Sequence, residues 1–328
     1  MGAVALPYDA VGAPERRVDR VDVSVLVPAK DEAENLPLFM ELAERAFAAD
    51  PRVRYEVVAV DDGSADGTWR VLTELRARYP WLQAVRHRTR RGIADALRTG
   101  YLHARGDVLV FYPADLQFKP EDIPRLAAPI LAGASDMVTG FKEGAYEKAF
   151  VSKVYNGLSR ALFDVPVRDL NNVKAYRREV MAGLPVRPDW HRYMIVLAAA
   201  QGYTVTEIPV PLYPRHAGRS KFGVGRIPVG VLDMLAVWFE LRFGRKPLLL
   251  FGMAGAVLFA AGVVAGLVAL GWLAATGEGL RAVWTVVQTC LLLGAVFLVG
   301  GLVAELIAGQ RAELAELRRE LDEARARR

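Results

Sequence analysis

The chain has 328 residues, enough for one large domain or two modest ones, and 53% of them are hydrophobic. That share exceeds an ordinary globular composition, so apolar sequence must lie outside a normal core. The net charge of +5 is mild; with no nucleic-acid motif in view it argues against a nucleic-acid reader and for a bias toward anionic membrane faces and phosphates.

Residues 1–20 read as a flexible polar tail, without the basic start and apolar run of a signal peptide. From Val21 strand and helix alternate. VDVSVLVP is followed by a helix over Glu32–Ala49, whose Pro37 is tolerable only near the first turn, and YEVVAV at 55–60 by a helix over Gly67–Tyr79. A strand around Leu82–Val85, a helix over Ile93–Ala104 and a strand over Asp107–Tyr112 complete the series. Such repetition predicts an α/β domain over 21–226, a Rossmann-type, mostly parallel sheet with helices on both faces. The segment IPVGVLDMLAVWFELRF, Ile227–Phe243, predicts an interfacial amphipathic helix within 227–246.

Two uncharged runs follow, Leu248–Ala275 and Ala282–Ala304. As helices they would reach roughly 42 and 34 Å, against about 30 Å of bilayer hydrocarbon, which predicts two transmembrane helices within 247–304. Arg242, Arg245 and Lys246 precede the pair and six arginines follow it, whereas the TGEGLR link carries only Arg281. The positive-inside rule then puts the α/β domain and both termini in the cytoplasm of a multi-pass protein of the cell (inner) membrane. The single cysteine, Cys290, lies in the second run, excludes an intrachain disulfide and suits a reducing compartment. Val303, Ile307, Gln310, Leu314, Leu317, Leu321 and Ala324 keep 4,3 spacing, which predicts over 305–328 either a coiled coil that makes a homo-oligomer or a single solvated amphipathic helix.

Three strands of the domain end in polar clusters: PAKDE (28–32), DDGSADGT (61–68) and PADLQ (113–117). In a parallel sheet these meet at one edge, where ligands bind, although any one of them would also serve as turn chemistry. No GxGxxG follows the first strand and no GxxxxGK occurs, so neither a dinucleotide fingerprint nor a P-loop is present. Gly223-Val224-Gly225 lies too far from that strand to count. Asp31, Glu32, Asp61 and Asp62 suit ring N–H groups and ribose hydroxyls, but would repel bare phosphates. Asp115 and Gln117 offer hard oxygens of the kind Mg²⁺ or Mn²⁺ prefers, on one side of an extended segment by their i, i+2 spacing; the alternative is Asp115 as a helix cap before PEDIPRL. Arg215, Arg219, Ser220 and Lys221 in PRHAGRSKF form a Gly-containing basic loop suited to phosphate, with contact to lipid headgroups as the alternative.

Taken in order, VPAKDEAENL, VDDGSADGT, RRGIADALRTG, PADLQ and RHAGRSK resemble the motif series of family 2 glycosyltransferases. The sequence is most similar to the polyprenyl-phosphate glycosyltransferase branch of that family (dolichol-phosphate mannose synthase-like), over about residues 21–225. The resemblance implies a GT-A fold, a nucleotide-sugar donor (UDP- or GDP-hexose), a divalent metal (Mg²⁺ or Mn²⁺) and inversion at the anomeric carbon. It would place Pro28, Asp31, Glu32 and Asp62 in the nucleoside pocket, Arg91 and Gly92 in the loop beside it, and Asp115 and Gln117 on the metal. Lys142 and Lys148 would lie near the acceptor phosphate, and Asp169 would orient that phosphate or a sugar hydroxyl. The chain departs from the pattern at Pro113, where the first acid of DADLQ is usual, at Lys30, where Tyr or Arg is common, and in DLNNVKAY, which replaces D-x-x-x-GFR-x-Y.

The expected reaction moves one sugar to an undecaprenyl or dolichyl phosphate. A phosphate monoester with a second pKa near 6 is already a dianion and needs no strong base. Catalysis is then electrostatic, with Asp115, Asp169, Arg215, Arg219 and Lys221 as the expected catalytic set. Two other readings compete: a catalytically silent nucleotide-binding scaffold, and a processive polysaccharide synthase, for which more spans and a QxxRW motif would be needed.

Overall fold

The computed structural model describes residues 8–10, 20–143, 157, 159, 162–163, 168–170, 172–184, 190–218, 227–244, 246–279 and 281–326. The strands are β1 (Tyr8–Ala10), β2 (Val23–Ala29), β3 (Tyr55–Asp61), β4 (Leu82–His87), β5 (Val108–Phe111), β6 (Met137–Glu143), β7 (Lys174–Arg177) and β8 (Val205–Pro211). The helices are α1 (Leu36–Ala48), α2 (Thr68–Arg78), α3 (Ile93–His103), α4 (Ile123–Leu131), α5 (Arg178–Gly183), α6 (Met194–Ala200), α7 (Ile227–Phe243), α8 (Pro247–Thr276) and α9 (Arg281–Ala326).

Every residue of β3 is buried, and β2 is nearly as dry. Runs of this kind, apolar on both sides of the pleat, form where helices cover both faces of a parallel sheet. Phe39 and Met40 of α1 pack with Val23, Val25 and Val27 in one core, while Gly100 of α3 lies against Leu26 and Val60. α1 starts later than the residue pattern predicted because the backbone turns once between Glu32 and Asn35; Pro37 falls in its first turn, as required.

The strand order is β1-β4-β3-β2-β5-β7-β6-β8. β2, β3, β4 and β5 are mutually parallel, as the sequence predicted. The outer half is mixed: β7 runs antiparallel to both β5 and β6, and β8 runs parallel to β6. Within the expected tail, Tyr8–Ala10 pair antiparallel with β4. Following these directions across the sheet, β2, β3, β5, β6 and β8 all leave at one edge, and the chain enters β7 from that same edge. The chain steps from β2 outward to β4, then returns past β2 to β5. That reversal puts a crevice between the carboxyl ends of β2 and β5.

The opposite edge is closed by a buried acid. Glu56 accepts hydrogen bonds from Ser24 Oγ (2.6 Å), Gln83 Nε2 (2.8 Å), the Arg105 N–H (2.6 Å) and Arg105 Nε (2.8 Å). The Gly106 N–H in turn donates to Ser24 Oγ at 2.8 Å. The network ties the starts of β2 and β3 to the turn before β5.

The chain divides into two compact units at Met234/Leu235. In the second unit, α8 and α9 are long and apolar enough to cross a membrane, and only 11% of each apolar window is buried. A soluble core helix would be mostly covered, so these surfaces are suited to lipid. Gly277 ends α8 in the left-handed region (φ 72°), its N–H bonding to the Leu273 carbonyl at 2.9 Å. The two helices touch through glycine: a Cβ at Gly255 would lie 2.8 Å from the Gly294 carbonyl oxygen, and one at Gly294 2.9 Å from that of Gly255. Glu305 of α9 accepts the Leu248 N–H at the start of α8 (3.1 Å). α9 continues unbroken for 46 residues, so the expected terminal helix is the extension of the second span, with Leu314 and Leu317 exposed. α7 forms over the residues expected, but its exposed side carries Val229, Leu232 and Leu235 while Met234 and Val237 are buried. It is apolar on more sides than a two-faced interfacial helix.

Two outcomes follow from this packing. Glu56→Ala leaves Ser24 and the half-exposed Arg105 without their acceptor and is expected to cost about 1–3 kcal/mol, read as a fall in the thermal midpoint. Gly294→Leu is expected to part the hairpin, which cross-linking of cysteines introduced on facing turns of α8 and α9 would detect as lost yield.

Candidate active site

The loops after β2 and β3 are clamped to each other. Asp31 has φ 50°; its N–H donates to Ser64 Oγ (2.9 Å), and its Oδ1 accepts the Ala65 N–H (2.9 Å) and lies 3.2 Å from Lys30 Nζ. Lys30 also donates to the Gly63 carbonyl (2.8 Å), and the Glu32 N–H to Thr68 Oγ1 (2.8 Å). Pro28 sits beyond the last β2–β5 pair, Leu26↔Phe111, where its missing N–H costs the ladder nothing. Asp61 pairs with Arg86 at 3.2 Å.

Asp62 is a loop anchor. Its carboxylate takes the N–H groups of Arg91 (2.7 Å) and Gly92 (2.8 Å), and a bond with His87 Nδ1 (2.8 Å), whose Nε2 meets Thr99 (2.9 Å). Burial raises its pKa, but the bonds from His87, Arg91 and Gly92 outweigh this and hold it below the usual carboxylate value. The acid thus shapes the 88–92 loop beside the crevice; its oxygens are already occupied by that loop. The stabilisation is present above the ordinary carboxylate range and is lost as acid protonates the group.

At the exit of β5, Asp115 and Gln117 converge, though not along an extended segment as the spacing implied. The chain turns at Leu116, which is buried with φ 58°. A left-handed leucine costs roughly 1–2 kcal/mol, offset here by its place in the core. Arg215, just past β8, enters this turn. Its guanidinium lies 2.7 Å from Asp115 Oδ2, donates to Gln117 Oε1 at 3.3 Å, and comes within 3.9 Å of Glu32 Oε1. Glu32 Oε2 accepts from Asn35 Nδ2 (2.6 Å), which also reaches the Ala217 carbonyl (3.3 Å). Three elements distant in sequence thereby share one charge cluster at the β2/β5 crevice. Among the described residues no group of three His, Cys, Asp or Glu side chains could hold a metal ion by itself.

A second cluster lies along the same edge. Lys142, at the end of β6, pairs with Asp169 at 3.2 Å. Lys174, at the start of β7, is fully buried, donates to the Asn172 carbonyl (3.0 Å) and lies 5.6 Å over the Phe111 ring. Burial pulls its pKa down to about 7, Asp169 works against this, and Lys142 and Arg192 reinforce it. His191 is pushed to about 3 by burial and by Lys174 and Arg192, so its ring stays neutral at physiological pH, with one nitrogen protonated and the other an acceptor. The alternating strand VKAYR concealed the burial of Lys174, although the residue stands in the DLNNVKAY segment that departs from the family pattern, and Asn35 reads as a simple helix-start residue. Lys148, Arg219, Ser220 and Lys221 lie outside the described residues.

Folded Lys174 releases its proton near pH 7, unfolded lysine near 10.4. Between those values the unfolded chain binds more protons, so this group makes stability rise with pH. Lys174→Met is expected to flatten that slope in thermal melts of the solubilised protein between pH 7 and 10.

The family model described as Glycosyl transferase family 2 matches residues 24–183. The undecaprenyl-phosphate 4-deoxy-4-formamido-L-arabinose transferase of Pseudomonas fluorescens (strain Pf0-1) is 30% identical over 250 residues, 74% of this chain and 72% of its own. The dolichol-phosphate mannosyltransferase of Pyrococcus furiosus is 33% identical over 211 residues, 61% and 58% of the two chains. The dodecaprenyl-phosphate galacturonate synthase of Rhizobium johnstonii is 26% identical over 302 residues, 89% of each. Among solved structures, glucosyl-3-phosphoglycerate synthase from Mycobacterium tuberculosis, in complex with Mn²⁺, UDP and glucosyl-3-phosphoglycerate, shares the fold. It aligns with a TM-score of 0.51 at 21% identity, over 66% of this chain and 80% of that one. With its GT-A-like sheet, its ordered motifs and these relatives, the chain belongs to glycosyl transferase family 2, in the polyprenyl-phosphate glycosyltransferase branch.

Proposed function

We propose that the protein transfers a single hexose-type sugar from a UDP- or GDP-sugar to a polyprenyl phosphate, with inversion, on the cytoplasmic face of the cell membrane. The observation that carries this reading is the convergence of Asp115, Gln117, Glu32 and Arg215 at the β2/β5 crevice, on the same edge as Lys142 and Asp169. The oxygens fit a divalent cation: they already gather round one positive group, and Mg²⁺ commonly takes only one or two carboxylates and completes its shell with substrate phosphates. Such an ion, when bound, supplies neutralisation of the charge that builds on the departing nucleoside diphosphate. The support from relatives is their names, which specify polyprenyl phosphates, and the neighbours' crystals, which contain Mn²⁺ or Mg²⁺ with UDP.

In this reading Asp31, Glu32 and the Asp62-anchored loop with Arg91 and Gly92 hold the nucleoside, and Asp115 and Gln117 hold the cation. Lys142 receives the acceptor phosphate, joined by Lys148, Arg219, Ser220 and Lys221. One phosphate oxygen attacks the anomeric carbon as the bond from that carbon to the diphosphate oxygen breaks, and the bonding pair leaves with the diphosphate. The acceptor oxygen is already anionic at neutral pH, so no proton need be removed. Asp169, paired with Lys142, orients that lysine. The apolar hairpin would anchor the chain in the bilayer that carries the lipid-linked phosphate.

Asp115→Ala is expected to lower transfer of labelled sugar into a lipid-extractable product by at least about 100-fold, with the melting midpoint held within a few degrees. Unchanged turnover would remove the assignment. Thermal stabilisation by UDP against GDP, each with and without Mn²⁺, is expected to single out one base, and nucleotide binding without any lipid product would favour the silent scaffold.

A further inference from the structure

Arg215 lies where the proposed cation would lie. Its guanidinium makes a charge-assisted contact of 2.7 Å with Asp115 and one of 3.3 Å with Gln117, the two residues assigned to the metal, and faces Glu32 at 3.9 Å. Arginine does not give up its proton in proteins, so it cannot yield to a second cation by becoming neutral. It must move, or an anion must arrive between the two charges.

The charges of the incoming groups discriminate between these routes. A divalent ion alone adds two positive charges beside a fixed guanidinium. An ion that enters with the diphosphate of a nucleotide sugar adds no net charge, and the diphosphate oxygens offer the planar guanidinium fork a bidentate partner. The backbone around Arg215 is held on both sides: the Tyr213 N–H bonds to the Gln117 carbonyl at 2.9 Å, and the Ala217 carbonyl accepts from Asn35 at 3.3 Å. With the backbone anchored, the exchange is assigned to rotation of the long Arg215 side chain.

We propose that Arg215 is the resident cation of the Asp115/Gln117 site and leaves these oxygens only when a nucleoside diphosphate arrives to receive it. Arg215 then makes metal binding conditional on the nucleotide, and its transfer to the diphosphate places a positive group on the leaving side before the lipid phosphate approaches. The inference rests on the proposed reading that Asp115 and Gln117 take a divalent cation with the donor.

The test is a titration of purified full-length protein with Mn²⁺, following the free ion by its electron paramagnetic resonance signal, without nucleotide and with saturating UDP or GDP. In the unaltered protein the effective nucleotide is expected to tighten Mn²⁺ binding by at least about tenfold, within the usual range of coupled sites. Arg215→Gln is expected to bind Mn²⁺ alone about tenfold or more tightly than the unaltered protein, with the nucleotide effect reduced by a similar factor. Arg215→Lys, which keeps the charge, is expected to stay within about threefold of the unaltered protein. Asp115→Asn is expected to weaken binding in every background. If Asp115→Asn weakens binding but folded Arg215→Gln leaves nucleotide-free affinity unchanged or lower, the exchange is wrong and the metal reading survives. A tightening of nucleotide-free binding in Arg215→Lys as large as in Arg215→Gln would also overturn the exchange. Mn²⁺ binding indifferent to Asp115→Asn would sink the metal reading itself.

Discussion

A carboxylate withdrawn from water must meet either a cation or a set of N–H donors, and the carboxyl edge of this sheet is arranged around that requirement. Asp62 meets it with two backbone N–H groups and a histidine, Asp61 with Arg86, Asp169 with Lys142, and Asp115 with Arg215. The difference between these solutions separates scaffold from site. Backbone donors cannot be exchanged without unfolding a loop, so Asp62 fixes shape. A guanidinium on a long side chain can be exchanged for another cation. Asp61 is fully buried and also holds the Ser64 N–H, whereas Asp115 is partly exposed at the crevice, which is why the proposed chemistry is assigned to Asp115. Glu56, on the opposite edge, is the scaffold solution in its fullest form, with its donors drawn from three segments of chain.

The edge also divides by sign. Acids dominate at the exits of β2, β3 and β5, while Lys142, Lys174 and Arg192 gather with Asp169 near β6 and β7. The proposed transfer between two anionic partners would set this demand, with a cation for the diphosphate on one side and positive charge for the incoming phosphate on the other. The antiparallel β7 places the second half of this arrangement, because it brings its own entry, with Lys174, to the edge where its neighbours leave.

The second unit answers a different physical demand. α8 and α9 satisfy their backbone internally and approach each other through Gly255 and Gly294, with their remaining apolar surface left outward. Between helices in lipid, close backbone contact replaces the burial that drives packing in water. The acid Glu305 lies near the start of α8, where its carboxylate caps an N–H that hydrocarbon would leave unsatisfied.

Much of this was legible in the residues. Apolar runs of four to eight residues ending in acid-bearing polar clusters marked the central strands and their carboxyl ends; uncharged lengths marked the hairpin; Asp115, Gln117 and Arg215 were each identifiable by chemical type. These features depend on local periodicity and composition, which a chain carries in itself. The antiparallel β7, the pairing of Tyr8–Ala10 with β4, the turn at Leu116, the occupation of Asp62 by its own loop and the burial of Lys174 were not legible. Each depends on which distant segments become neighbours. The sequence by itself determined which groups were available at the sheet edge; the tertiary structure alone decided which acid met which cation, because Coulomb and hydrogen-bond energies depend on distance in space and not on separation along the chain.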